Sequence, residues 1–233
     1  MSKVKFSALL GAAAILLGAT MTGPAVAGGL AVGIQGSAIY IETSGTETLK
    51  SNSVESKASE SAAGAVPGAF IQYTFGDDGF VIGVEKMPGQ MSMGRQERTT
   101  TDALAGNDPN NTSDAPSVTQ IAKAQIKDHY GLYLETPGFG PAGFFAKVGY
   151  SEFLIETNES LGTGAAYNNV TSNGTTIGLG FKGAADSGML LKVSAEYTDY
   201  DSVTLKSVGS DVATTIKADP ETYALKLSLG YQF

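Results

Sequence analysis

The stretch ETYALKLSLGYQF alternates without a break. Tyr223, Leu225, Leu227, Leu229, Tyr231 and Phe233 fall on one face of an extended chain, and Ala224, Lys226, Ser228, Gly230 and Gln232 on the other. A period of two is the period of a strand. Seven earlier segments repeat it. Leu30 to about Thr43 sets Leu30, Val32, Ile34, Ala38 and Tyr40 against Gly33, Gln35 and Ser37, and Gly68 to Phe75 sets Ala69, Ile71, Tyr73 and Phe75 against Gln72 and Thr74. In the third, Phe80, Ile82 and Val84 oppose Gly83 and Glu85. Lys123 to Thr136 places Ile126, Tyr130, Leu132 and Leu134 opposite Gln125, Lys127, His129, Gly131, Tyr133 and Glu135.

The fifth segment alternates Phe144, Ala146, Val148 and Tyr150 with Lys147, Gly149 and Ser151. Its phase is broken by Phe153, Leu154 and Ile155, which predicts a bulge near Glu152 or an exit from the membrane. Thr175 to Lys182 sets Thr175, Ile177, Leu179 and Phe181 against Thr176, Gly178, Gly180 and Lys182. The seventh places Met189, Leu191, Val193, Ala195 and Tyr197 opposite Lys192, Ser194, Glu196 and Thr198.

The N-terminus reads differently. Lys3 and Lys5, the apolar run Phe6 to Leu17 and the small residues Ala25, Val26 and Ala27 have the form of a secretory signal peptide over 1–27. The expected mature domain is 28–233. After that segment no apolar run is long enough for a membrane helix. Spanning a bilayer without helices requires a closed barrel, because only then does every backbone group find a partner in lipid.

Connector lengths support a barrel. Asp77-Asp78, Pro137 to Ala142 and Ala184 to Ser187 are short, whereas Ser44 to Val66, Pro88 to Ala122, Thr157 to Gly174 and Asp199 to Asp219 are long. Short periplasmic turns alternating with long external loops are what outer-membrane barrels show. Aromatic residues also divide. Phe75, Phe80, Phe181 and Phe233 gather at the short-turn end, and Tyr40, Tyr150, Tyr197 and Tyr223 toward the long-loop end, as two interfacial girdles would. The expected fold is all-β: an eight-stranded antiparallel transmembrane β-barrel with short periplasmic turns and four long extracellular loops.

These features together resemble the small outer-membrane β-barrels of Gram-negative bacteria, the OmpA-like and OmpX-like group. The resemblance implies residence in the outer membrane, lipid and lipopolysaccharide around the barrel, and assembly-machinery recognition of the terminal aromatic pattern of Tyr231 and Phe233. No periplasmic peptidoglycan-binding domain, which some members have, is expected after the eighth strand.

Charge and composition narrow the function. The chain carries 15 Lys+Arg and 23 Asp+Glu. Loss of the leader removes two lysines and no acid, moving the net charge from -8 to -10. An acidic chain whose only arginines are Arg95 and Arg98 does not present the basic face that phosphate contacts need, so nucleic acid is not an expected partner. Without cysteine there is neither a disulfide framework nor a thiolate metal site, and no cofactor is expected.

The phases send Glu85, Lys127, His129, Glu135, Lys147, Lys182, Lys192, Glu196 and Lys226 to the lumen. An eight-stranded barrel is just wide enough for side chains to fill, so these groups are expected to form a polar plug rather than an ion path. His129 is the only histidine, and some outer-membrane barrels are lipid-modifying enzymes that use a histidine with serine and a carboxylate. No serine lies near His129 in sequence, so an enzyme is not the expectation. The long polar segments, such as SGTETLKSNSVESKASESAAGA, read as solvated and mobile surface loops for contact with an extracellular ligand. Val203 to Leu205 and Val212 to Ile216 are expected to extend the last two strands as a hairpin. The leading function is a non-enzymatic barrel with an envelope-structural and surface-interaction role. A small-solute porin-type channel is the alternative.

Overall fold

The computed structural model describes residues 28–49, 55–76, 79–100, 118–160, 166–208 and 214–233. Residues 1–27, where a leader is expected, and residues 50–54, 77–78, 101–117, 161–165 and 209–213 lie outside them. Ten strands follow in chain order: β1 (Leu30–Leu49), β2 (Glu55–Thr74), β3 (Val81–Thr100), β4 (Val118–Glu135), β5 (Phe144–Ser160), β6 (Ala166–Tyr167), β7 (Val170–Ala184), β8 (Met189–Tyr200), β9 (Val203–Val208) and β10 (Thr214–Gln232). Eight form a ring in the order β1-β2-β3-β4-β5-β7-β8-β10, and β10 pairs back onto β1. All of these pairings are antiparallel. Closure runs the length of the last strand, from Ala31 opposite Gln232 to Leu49 opposite Thr214. The Phe233 amide then donates to the Leu30 carbonyl at 2.9 Å.

The ring is inside-out relative to a soluble protein. Ile34 is 67% exposed and Leu227 50%, while Glu135 is 2% exposed and Glu196 3%. An apolar exterior around a charged interior is stable only in lipid. Ten residues separate Tyr223 from Phe233. At about 3.3 Å per residue and a tilt of about 40°, that is a belt roughly 25 Å tall, the height of a lipid-facing band. Aromatic contacts mark both rims. Tyr73–Phe75, Phe144–Phe181 and Tyr231–Phe233 pack edge-on with centroids 5.1, 5.6 and 5.1 Å apart at the short-turn end. At the other rim Tyr223 stacks between Tyr197 at 5.1 Å and Tyr40 at 6.4 Å. Glu221 accepts hydrogen bonds from the hydroxyls of Tyr197 and Tyr223 at 2.9 and 3.2 Å, placing charge just above that rim.

The segments expected as long loops are largely strand. β1 continues to Leu49 and meets β2 from Glu55; β3 runs through Pro88 to Thr100, paired with β4 from Val118. Above the belt both faces of a strand meet water, so hydrophobic alternation disappears while the backbone ladder continues. ESKASESAAG is therefore strand with no apolar face to announce it. Of the hairpin expected above strands seven and eight, β9 pairs β10 from Val203 opposite Ala218 to Lys206 opposite Thr215, and Val212 lies outside the described residues.

The phase break lies on a different strand from the one expected. β5 pairs β7 in unbroken register from Phe144 to Ile155, so Phe153 and Ile155 continue the inward phase. The irregularity is on β4, between Lys127 opposite Leu154 and Tyr130 opposite Glu152, where Asp128 takes a φ of 51°. One extra residue flips every side chain beyond it. Ile126, expected to face outward, is therefore buried inside, and Lys127, expected inside, turns outward and pairs with Glu156.

A second interruption lies between β2 and β3. Their ladder runs only from Thr74 opposite Val81 to Ala69 opposite Lys86, whereas β2 stays paired with β1 to Glu55 and β3 with β4 to Thr100. Two residues beyond the last pair, Pro67 and Pro88 would face each other in the same register. Neither has an N–H to donate, so the ladder stops there. Gln90 and Ser92 are exposed on β3 beyond this point, which puts the unpaired seam above the apolar belt.

Inward glycines make room for rings that cross the lumen. A Cβ on Gly83 would sit 2.4 Å from the Tyr133 ring, and one on Gly33 2.6 Å from Phe70. Gly83→Val is expected to destabilise the barrel by about 1–3 kcal/mol through overpacking, read as a lower urea midpoint in lipid vesicles.

Candidate functional site: the barrel lumen

The lumen is built in layers. Lowest, near the short turns, Ala31, Phe70 and Leu190 form a small apolar cluster. Directly above, Lys192 donates to Glu135 Oε1 and to Gln72 Oε1, both at 2.7 Å, and the Tyr133 hydroxyl donates to the same Gln72 oxygen at 3.2 Å. Glu135 Oε2 keeps only a 3.5 Å contact with Lys182, which also donates to the Thr136 carbonyl at 2.9 Å. Lys192 lies 5.0 Å from the Phe70 ring centroid and 5.1 Å from that of Tyr133. These ring faces help compensate an ammonium removed from water.

The middle layer is a tetrad of two acids and two bases from four strands. Glu85 on β3 bonds Lys226 on β10 through Oε1 and Lys147 on β5 through Oε2, the latter at 3.3 Å. Glu196 on β8 closes the ring, meeting Lys147 and Lys226 at 2.8 Å each. Gln35 and Ser194 donate to Glu85 and Glu196 at 3.3 and 2.9 Å. Lys147 also lies 4.2 Å from the Tyr133 centroid. Every member is buried. The desolvation cost of such charges is offset only where each is paired and hydrogen-bonded, as here.

Above the tetrad, Ser151, Thr176 and Thr198 link hydroxyls at 2.7 and 2.8 Å. His129 lies on β4 opposite Met87 of β3, and its buried Nδ1 has no hydrogen-bond partner. A cavity of about 40 Å³ occupies this level, lined among others by His129, Met87, Met91 and Ile126. The top is apolar: Ile41, Met91, Ile126, Phe153, Ile155, Tyr200 and Val203 pack together, with the rings of Phe153 and Tyr200 4.3 Å apart.

Glu85, Glu135, Lys147, Lys182, Lys192, Glu196 and Lys226 therefore meet in the lumen as their phases predict, and His129 stands above them. Lys127 does not join them. Gln35, Gln72 and Tyr133 complete the network; all three lie on inward phases, but only the assembled barrel shows that they reach a charge. Ser151 shares the cavity wall with His129, yet its hydroxyl is engaged with Thr176.

No family model and no curated protein matches the sequence. Solved structures do match. The outer membrane protein OprG from Pseudomonas aeruginosa aligns with a TM-score of 0.54 at 15% identity, covering 91% of this chain and 99% of that one. The chain has the fold of the small outer-membrane β-barrels. The outer membrane protease OmpT from Escherichia coli aligns over 88% of this chain and 97% of its own at 9% identity, with a TM-score of 0.47. Neisserial surface protein A covers 85% and 97% at 11% identity and a TM-score of 0.39. At 15% identity the likeness to OprG shows the fold of this barrel and no more.

Proposed function

We propose that this barrel is a non-catalytic, non-conducting protein of the Gram-negative outer membrane, contributing to envelope structure and presenting polar hairpins to the exterior. The tetrad of Glu85, Lys147, Glu196 and Lys226 carries this reading, because it ties four strands together across a lumen that eight strands leave just wide enough for side chains to fill. The apolar layer of Phe153 and Tyr200 supports it from above. Paired strands beyond the tyrosine rim give the hairpins a fixed shape for contact with an extracellular ligand. Lipid and lipopolysaccharide surround the belt, the leader directs export, and the Tyr231–Phe233 end is the feature offered to the assembly machinery.

Refolded protein in a planar bilayer is expected to give no steady current in 1 M salt, roughly a condition in which any open pore is read most easily. A large, steady conductance would make it a porin-type channel instead. Lys147 and Lys192 would then set its ion selectivity.

A further inference from the structure

The chain has six methionines, of which Met1 and Met21 precede residue 28 and Met189 faces lipid. The other three, Met87, Met91 and Met93, lie together on β3. Met87 and Met91 are buried on its inward face, and Met93, partly buried, packs against the apolar layer above them. A thioether fills an irregular gap in any core, which accounts for one such residue. Three on one face, running down from the extracellular end, make a ladder of soft donors. A histidine stands at its foot. His129 is the register partner of Met87 across β3 and β4, so their Cβ atoms lie about 5 Å apart.

Met87, Met91 and His129 all line the cavity of about 40 Å³ above the tetrad. Gly89 lies between the two methionines on the same wall and puts no side chain into the space that separates them. Along an extended strand that space is at most about 14 Å, which two unbranched side chains close from either end. Met91 Sδ rests over Gly64, where no side chain pins it, and no hydrogen bond at Nδ1 fixes the His129 ring. The cavity has room for a bare ion with about one or two waters and for no larger guest. Glu196 and Lys226 line it as well, and the hydroxyls of Ser151 and Thr198 there are engaged with Thr176. The paired charges offer no net attraction to a divalent cation, whereas neutral thioethers and a neutral imidazole select for softness. We infer that Met87, Met91 and His129 form a binding site for a soft monovalent cation, copper(I) or silver(I), which arrives from the extracellular end by way of Met93. Such a site goes beyond the structural role and requires no conductance, so bilayer currents and metal titrations fail independently.

With so few methionines and no cysteine to compete, the site is readable by methyl NMR. Protein carrying methyl-labelled methionine in phosphatidylcholine nanodiscs is titrated with silver nitrate in chloride-free buffer. The methyls of Met87 and Met91 are expected to shift and to saturate at one silver per chain, while Met189 on the lipid face does not move. Copper(I), kept reduced by ascorbate, should shift the same two methyls and calcium(II) neither. Met87→Leu and Met91→Leu keep the volume of the core, and each is expected to weaken silver by about tenfold or more. His129→Phe should weaken it by about as much. Met93→Leu should slow loading and leave the affinity alone. Shifts that spread alike to Met189, that do not saturate, or that calcium(II) reproduces mean an adventitious ion only and overturn the site, and the unaltered protein decides this should a variant fail to fold. Affinity indifferent to both leucine variants overturns it too. Unchanged affinity in His129→Phe removes the imidazole from the ligand set, and an unchanged loading rate removes Met93 from the path.

Discussion

Replacing Glu85 with alanine is expected to lower the unfolding free energy of the barrel by about 3–5 kcal/mol. The carboxylate is the hub of the tetrad, holding Lys226 on one oxygen and Lys147 and Gln35 on the other. Its removal leaves two buried ammonium groups sharing Glu196 alone, and an uncompensated buried charge costs more than its former pair contributed. Urea titration in lipid vesicles, read by the heat-modifiable gel shift, measures the loss. Glu85→Ala/Lys226→Met removes the orphaned charge along with its partner and is expected to recover most of it. A loss below about 1 kcal/mol would place Glu85 among weakly coupled, water-screened charges.

On the other face, Leu227→Arg is expected to cost about 2–4 kcal/mol in the same titration. Leu227 is 50% exposed, lies between Gly36 and Val193 on the neighbouring strands, and stands near the middle of the span from Phe233 to Tyr223. A guanidinium there must draw water into hydrocarbon or bend the bilayer to reach it. Thr175→Arg provides the comparison. Thr175 is exposed opposite Tyr150 and Asp199 at the outer rim, where the penalty falls to about 0–1 kcal/mol. Equal losses at the two positions would contradict the placement of the belt.

Both effects rest on facing, which was legible in the sequence wherever lipid lay on one side. From Phe144 to Tyr150, from Met189 to Tyr197 and from Tyr223 to Phe233, a one-residue slip would bury every apolar side chain in the polar lumen, so the pattern admits a single register. Where neither face met lipid the same reasoning lost its signal. Glu55 to Gly64 looked like loop because a strand standing in water carries no apolar stripe. Phe153 and Ile155 looked like a broken phase because the lumen changes from polar to apolar at their height. The alternation of β5 was intact; the inner solvent had changed.

The network shows a related limit. Inward phases supplied the lysines and glutamates, but pairing Glu85 with Lys226, 141 positions apart, depends on ring closure. Lys127 was misplaced by one residue of bulge at Asp128, a backbone feature with no apolar pattern to betray it. Pro67 and Pro88 were visible as residues that cannot donate to a ladder, yet only their facing positions on β2 and β3 make them a seam.

The sequence by itself determined a membrane barrel of eight strands, the belt and its two aromatic rims, and a charged lumen, because lipid outside and side chains inside impose opposite chemistry on alternate residues. Only the tertiary structure decided which charges pair, where the interior turns apolar, and that the wall beside His129 is unlaced. Those outcomes depend on register and bulges between strands distant in sequence, and a single residue of offset there exchanges inside for outside.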